Sequence, residues 1–581
     1  MYKPGELNER GTGRMAMKSG ALTMAVLLTA CGFATAQLNA RRVSDKFEAY
    51  RSAWKTTRLA LILNQEKFSP GDTLWLKAYF LDDDFRGITG RQKIELNLVD
   101  WHGRSRAHSI INVSYGVGYN QIIIPESLEP GLYLLTAHSS WMRNFRPMPF
   151  FKKEITIVTQ NAVVADEEFS VFARPEGGHL VAGIPNRVAF RVQPAPSQIE
   201  VVDSASQEVV ATGSADSLGF GALVFTPTPE RRYVLRFSDG NANFALSPVE
   251  EDGCSLLVSA QVGNGPVNVR IMAPVKSSFR RVPLLLVLTA RSHVHYSRTV
   301  DLASTSFEDI VIDQRSLPEG IIHAALLNAE GSPVASRNFY IAPKRDTRIE
   351  VSMSKETFRP REPVRMEISL QDGTSAHIQA EFSVSVVNEG VAGTETMPFL
   401  EDMLALFPRE GSVIERSVAT RPSALDNLLI CESRDLPWRQ ILSDHPPVPT
   451  FRFTNAMEKR GIALSGDDKP VPDFTQILFY LQHDKMHYQT FTVHGGHVRL
   501  TLPDIFGPDE FLYVAETQKG RAVPDLRIRW QDDSIRLPVS RRSHETDDQD
   551  PYARFAQNVK MINRSYHYYG IEARRGNDER A

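Results

Sequence analysis

The chain has 581 residues, too many for one hydrophobic core, and its 42% hydrophobic and 23% charged residues are the balance of a folded protein rather than a disordered one. A net charge of -3 supplies no basic field to draw it to nucleic acid. Three cysteines, Cys31, Cys254 and Cys431, stand too far apart for a disulfide framework, so stability must come from several separate apolar cores.

Residues 1–36 read as a secretory signal, with Met15 or Met17 as alternative starts. Polar residues lead into an apolar run, Ala21–Ala34, shorter than the roughly 20 residues of a membrane-spanning helix. Ala34-Thr-Ala36 before Gln37 is a small-x-small cleavage pattern. A buried core helix is the plainer alternative, and the polar linker that follows argues against it. Leu28-Thr-Ala-Cys31 also resembles the lipobox of bacterial lipoproteins, which makes Cys31 a lipidation candidate. Both endings stay open, with the apolar residues beyond Cys31 favouring cleavage after Ala36. Either way the chain is expected to be exported, periplasmic or associated with an outer membrane.

Period-two alternation dominates after the leader. Leu74, Leu76, Ala78 and Phe80 share one strand face, as do Ile94, Leu96 and Leu98, and later Val364, Met366, Ile368 and Leu370, then Phe382, Val384 and Val386. Turn signals such as Ser69-Pro-Gly-Asp72, Glu129-Pro-Gly131 and Pro318-Glu-Gly320 separate the strands. Many short strands at this spacing predict an all-β fold of tandem immunoglobulin-like or macroglobulin-like β-sandwiches. Phe68-Ser-Pro-Gly-Asp72 and Phe358-Arg-Pro-Arg-Glu362 each precede an alternating strand, which suggests a duplicated unit. Turn chemistry alone recruits the same residue types and is the plainer explanation.

The expected units are sandwiches at 47–158, 169–248 and 254–343, with a linker at 161–168. A fourth sandwich at 347–445 carries a helical insert. Leu400, Met403, Leu404 and Phe407 have helical spacing, and Ser423 with Asp426 resembles a capping box before Leu425, Leu428 and Leu429. A small β domain is expected at 449–517. A polar tail at 521–581 holds one amphipathic helix through Phe555, Val559, Ile562, Tyr566 and Tyr569.

No serine sits in Gly-x-Ser-x-Gly, and His544-Glu545 lacks the second histidine of a zinc-protease helix. No phosphate loop occurs, and Cys254 and Cys431 read as buried structural cysteines. The expectation is therefore no catalytic residue and no cofactor. His483, His487, His494 and His497 are weak metal candidates, because three or four converging imidazoles bind zinc or copper. The spacing does not imply convergence, and exposed loop histidines are the plainer reading. His293 and His295 share a strand face and read as strand surface. Trp75, Tyr79, Trp141 and Phe145 are interface anchors if exposed, but aromatics in a sandwich more often fill the core.

Residues Phe68–Tyr79, Leu128-Glu-Pro-Gly-Leu-Tyr133 and Ser140-Trp-Met-Arg-Asn-Phe145 make the first unit similar to a macroglobulin domain of bacterial envelope proteins of the alpha-2-macroglobulin-like class. Pro175–Asn186, Leu317–Ile321 and Phe358–Glu362 fit the same family, and 461–502 resembles a carboxypeptidase-regulatory-like domain. Longer relatives continue into a plug domain of a TonB-dependent outer-membrane receptor, and no such plug follows in this sequence. Thioester-type members carry Cys-Gly-Glu-Gln, whereas Cys254 precedes Ser-Leu-Leu and Cys431 precedes Glu-Ser-Arg. The resemblance implies a non-enzymatic envelope scaffold or binding arm beside an outer-membrane partner. The alternatives are a thioester-free protease inhibitor with 397–442 as bait, and an enzyme with a site assembled between domains.

Overall fold

In the computed structural model the described residues are 39–145, 148–158, 170–193, 198–237, 243–260, 265–342, 348–371, 384, 418, 421–433, 435–454, 457–481, 488–502, 511–531 and 537. The leader with Cys31, the segment 400–407, His483 and His487, and the expected tail helix at 555–569 lie outside them. Among the described residues no helix is long and apolar enough to cross a membrane. The protein is all-β, built from tandem sandwiches with short helices between them.

The described chain opens on a helix, α1 (Ala40–Ala53), not on a strand. The Asn39 side chain accepts from the Arg42 amide at 2.8 Å and caps it. Phe47, where the sequence reading begins the first sandwich, is therefore helical. Val43, Phe47 and Tyr50 recur at helical spacing and form the buried face.

The first sandwich consists of β1 (Thr57–Leu63), β2 (Lys67–Phe68), β3 (Thr73–Asp82), β4 (Arg91–Val99), β5 (Ser105–Ser114), β6 (Val117–Ile123), β7 (Gly131–Ser139) and β8 (Phe151–Ile157). They form one continuous ladder, β1-β3-β6-β5-β4-β7-β8-β2, around a single apolar core. The second sandwich follows with β9 (Ser170–Pro175), β10 (Leu180–Val181), β11 (Asn186–Gln193), β12 (Ile199–Asp203), β13 (Val209–Gly213), β14 (Phe220–Phe225), β15 (Tyr233–Phe237), β16 (Phe244–Ala245) and β17 (Val249–Glu250). Its sheets are β14-β11-β9 and β13-β12-β15-β16, with β10-β17 as a parallel pair.

The third sandwich uses β18 (Ser255–Ala260), β19 (Val267–Met272), β20 (Leu284–Ala290), β21 (His293–Val300), β22 (Phe307–Ile312), β23 (Gly320–Leu327) and β24 (Pro333–Ile341) in sheets β18-β19-β22 and β21-β20-β23-β24. Every residue of β20 is buried. Leu284, Leu286 and Leu288 face the sandwich core. Leu285 and Val287 point the other way, onto Val43, Phe47 and Tyr50 of α1. A sheet covered on both faces needs a continuous apolar run, and Leu284-Leu-Leu-Val-Leu288 supplies one. Full burial of a side chain such as Phe47 contributes about 1.5–3 kcal/mol, so this docking fixes α1.

Of the fourth unit, the described strands are β25 (Arg348–Met353) and β26 (Met366–Gln371). This hairpin reproduces β1-β3. Leu63 pairs with Leu76 in one and Met353 with Met366 in the other, at a constant sequence offset. Asp72 accepts from the Ser69 amide, and Glu362 accepts from the Arg359 amide, both at 2.7 Å. Gly71 (φ 86°) and Arg361 (φ 65°) take the same left-handed place in the turn.

The helical insert expected inside the fourth sandwich docks elsewhere. Helix α2 (Pro422–Cys431) packs on β11, β14 and β9 of the second sandwich and on β24 of the third, and α3 (Trp438–Ile441) joins the cluster beneath α1. Leu425, Leu428 and Leu429 are buried as helical spacing predicts. The capping box does not form. Arg421 is the N-cap and its side chain makes no capping bond, Ser423 is exposed within the helix, and Asp426 is taken by two arginines.

The last unit has β27 (Met457–Leu464), β28 (Thr475–Leu481), β29 (Tyr488–Val493), β30 (His497–Leu502), β31 (Phe511–Glu516) and β32 (Arg527–Trp530) in sheets β30-β27-β32 and β29-β28-β31. β32 pairs with β27, so strand structure continues past Thr517 into the expected polar tail. Upstream, Pro449–Thr454 belongs with the first sandwich. Asn144 and Phe451 exchange two bonds, at 2.7 and 2.8 Å, and Phe453 stacks on Trp141 with centroids 4.5 Å apart.

Candidate functional site

Two arginine-rich regions lie where the second and third sandwiches meet α2. The first is a closed junction. Arg337 of β24 has no exposed side-chain surface and forms close ion pairs with Glu176 and Asp426. Arg187 of β11 lies 3.2 Å from Glu176 and 2.8 Å from Asp426, and it donates to Asn427 at 2.6 Å. Glu176 also accepts from the Val258 amide at 2.8 Å, and Arg337 donates to the Val258 carbonyl at 2.6 Å. Burial pulls the Arg187 guanidinium down, but the charges and hydrogen bonds of Glu176 and Asp426 together outweigh it and hold it above its usual range. Gly177 carries the loop past this point at φ 88°, and a Cβ there would stand 3.2 Å from the Leu256 amide nitrogen.

The second region is an open cavity of about 570 Å³ between the first three sandwiches and α2. Arg51, Arg58, Arg174, Arg191 and Arg291 line it, against the acids Asp83 and Glu432. Asp83 is buried and lies 3.7 Å from Arg51 and 3.6 Å from Arg58. Arg291 donates to the Glu319 carbonyl at 3.4 Å, and Arg191 lies over the Phe220 ring at 5.2 Å. Neither Arg191 nor Arg291 has an ion pair among the described residues. Burial lowers the Arg58 guanidinium below its usual range, the charges of Arg51 and Arg291 push the same way, and Asp83 opposes them.

The wall also carries Cys431. Burial pushes its thiol up to about 12, with Glu432 adding to the rise against Arg174 and Arg191. Cys254, inside the third sandwich core, is likewise pushed up to about 12 by burial. Both are free and buried, and neither geometry activates a nucleophile.

His494 and His497 flank a tight turn, with the His497 amide donating to the His494 carbonyl at 3.1 Å. Both side chains are exposed, and the His494 ring meets Phe474 at 4.9 Å. Among the described residues no three His, Cys, Asp or Glu side chains gather as metal ligands. His293 is exposed, 3.5 Å from Glu48, and its ring lies 6.3 Å from that of His295. Of the aromatics, Trp75 is 44% exposed, whereas Tyr79 and Trp141 are buried. Trp141 donates to the Lys55 carbonyl at 2.7 Å.

The sequence reading singled out none of the junction or cavity arginines. The partners lie far apart in the chain, and no local spacing marks them. The clearest available signal was Pro175-Glu-Gly-Gly-His179, where two glycines follow a buried acid.

No protein-family model and no curated protein sequence matches the chain. Among solved structures it is similar to native Escherichia coli alpha-2-macroglobulin, with 12% identity over 54% of this chain and 25% of that one and a TM-score of 0.16. The same protein activated by porcine elastase gives 12% identity, 82% and 43% coverage and a TM-score of 0.20. Dimeric latent PorU from Porphyromonas gingivalis gives 13% identity, 49% and 33% coverage and a TM-score of 0.21. The chain spans less than half the length of each of these proteins. At such TM-scores the likeness carries no argument, and the tandem-sandwich architecture rests on its own pairings and cores.

Proposed function

We propose that the protein is an exported, non-enzymatic binding arm of a cell envelope, which presents its sandwiches to an outer-membrane partner. The observation that carries this reading is the closed junction of Glu176, Arg187, Arg337 and Asp426. It joins two sandwiches and a helix through mutually paired charges, of which Glu176 and Arg337 are buried, and this holds neighbouring domains at a fixed angle as an arm requires. Export is supported by the leader sequence and its Ala34-Thr-Ala36 site. Recognition would run through loops and edge strands, which sandwiches leave available.

A protease-inhibitor reading places its bait at 397–442, of which 397–417 lies outside the described residues. Within the described part, Leu425, Leu428, Leu429, Ile430 and Cys431 of α2 are buried. The test of the arm reading is a pull-down from detergent-solubilised envelopes with the tagged mature chain. Co-purification of an outer-membrane protein is the expected result. Recovery of no partner by folded, exported chain contradicts the reading.

A further inference from the structure

The open cavity poses a problem that the arm reading does not solve. Five arginines share it with two acids. Among the described residues, the Nε atoms of Arg51, Arg191 and Arg291 are buried without a hydrogen-bond partner, and so are Thr57 Oγ1, Ser433 Oγ and Asp83 Oδ2. Buried polar atoms are almost always satisfied, and buried charge is almost always paired. Here the orphan atoms come from three sandwiches and the segment after α2, and they line the same space. The three Nε atoms are guanidinium donors and the two hydroxyls can donate as well, while Asp83 Oδ2 is an acceptor in the same space.

We propose that this cavity binds a small polyanion carrying two or more phosphate or carboxylate groups. A guanidinium is the side chain best matched to such groups, because its planar fork donates two parallel hydrogen bonds to two oxygens. Arg191 and Arg291 are the primary ligands, since neither forms an ion pair among the described residues. Arg51 and Ser433 complete the donor set. Asp83 keeps Arg51 and Arg58 in place at 3.7 and 3.6 Å and limits the excess charge when the cavity is empty. Leu428, Leu429 and Ile321 give the wall an apolar side, which lowers the local dielectric and strengthens each charged contact. The volume falls within the range of small-molecule sites. Binding here needs no envelope partner, so its failure would leave the arm reading standing, and the converse also holds.

The test is isothermal titration of the full chain with inorganic pyrophosphate and, separately, with citrate, alongside thermal melting. The expected result is saturable binding of at least one probe, weakened about tenfold or more in the Arg191→Gln/Arg291→Gln double variant. Saturation by pyrophosphate alone identifies a phosphate ligand, and by citrate alone a carboxylate one. Ser433→Ala, which removes one neutral donor and no charge, should weaken binding while keeping the fold, and it serves if the double variant fails to melt cooperatively. Absence of saturation by either probe up to about 10 mM overturns the proposal, as does equal binding by folded variants.

Discussion

The closed junction and the open cavity lie against the same helix, and both are built from arginine. In the junction, Arg187 and Arg337 meet Glu176, Asp426 and Asn427. In the cavity, Arg191 lies four residues along β11 from Arg187, over the face of Phe220 and with no ion pair among the described residues. The difference shows that an arginine's role follows from what faces it. A guanidinium between two carboxylates is a structural tie, and one held in a cavity with orphan donors is a site in waiting.

The largest expected effect comes from breaking a tie. Glu176→Gln removes one charge from under the fully buried Arg337 and should cost about 3–5 kcal/mol, read as a fall in the denaturant midpoint. Replacing Glu176 and Arg337 together by apolar residues should recover much of that loss, because no orphan charge remains.

Thiol chemistry sharpens the contrast from the cavity side. With its thiol pushed up to about 12, Cys431 is thiolate in only about one molecule in ten thousand at pH 8. In a Cys31→Ser background, Cys431 and Cys254 should therefore react with a thiol reagent about a thousandfold more slowly when folded than when unfolded. Fast labelling of Cys431 alone would mean that the nearby Arg174 and Arg191 dominate its environment.

Acid tests a buried group that has neither a tie nor a cavity. His138 is buried beside Phe150, 3.8 Å from Glu95, and burial lowers its pKa against the pull of Glu95. His295 is lowered for the same first reason. A histidine whose folded pKa is depressed binds its proton more readily when unfolded. Stability should hold above about pH 6.5 and fall below it by up to about 1.4 kcal/mol per pH unit for each such histidine. His138→Gln should flatten this slope in denaturant melts across pH 5–7.

The smallest effect is expected at Arg191. Arg191→Met removes no ion pair and relieves some like-charge repulsion while losing the contact with Phe220, so stability should change by less than about 1 kcal/mol. A loss as large as that of Glu176→Gln would erase the distinction between the two regions.

Much of the architecture was legible because period-two alternation is local. Strands β3 and β26 and the turn before each follow from Phe68–Phe80 and from Phe358 to Leu370, down to the acid that bonds a turn amide, whereas their partners β1 and β25 were not read. Helix α1 was missed because its polar face masks Val43, Phe47 and Tyr50, although their spacing was readable. The strand at Arg527–Trp530 was missed because its residues are largely exposed and polar. The placement of α2 and the charges of the junction were beyond reach. Glu176, Arg187, Arg337 and Asp426 come together only through tertiary packing, and the capping role read for Asp426 lost to two arginines.

The most direct test of the account is scanning calorimetry of the full chain beside Glu176→Gln. If the junction locks the second and third sandwiches and α2 into one arm, they should unfold in a single transition in the natural chain and in separate ones in the variant. Separate melting of the two sandwiches in the natural chain would contradict it.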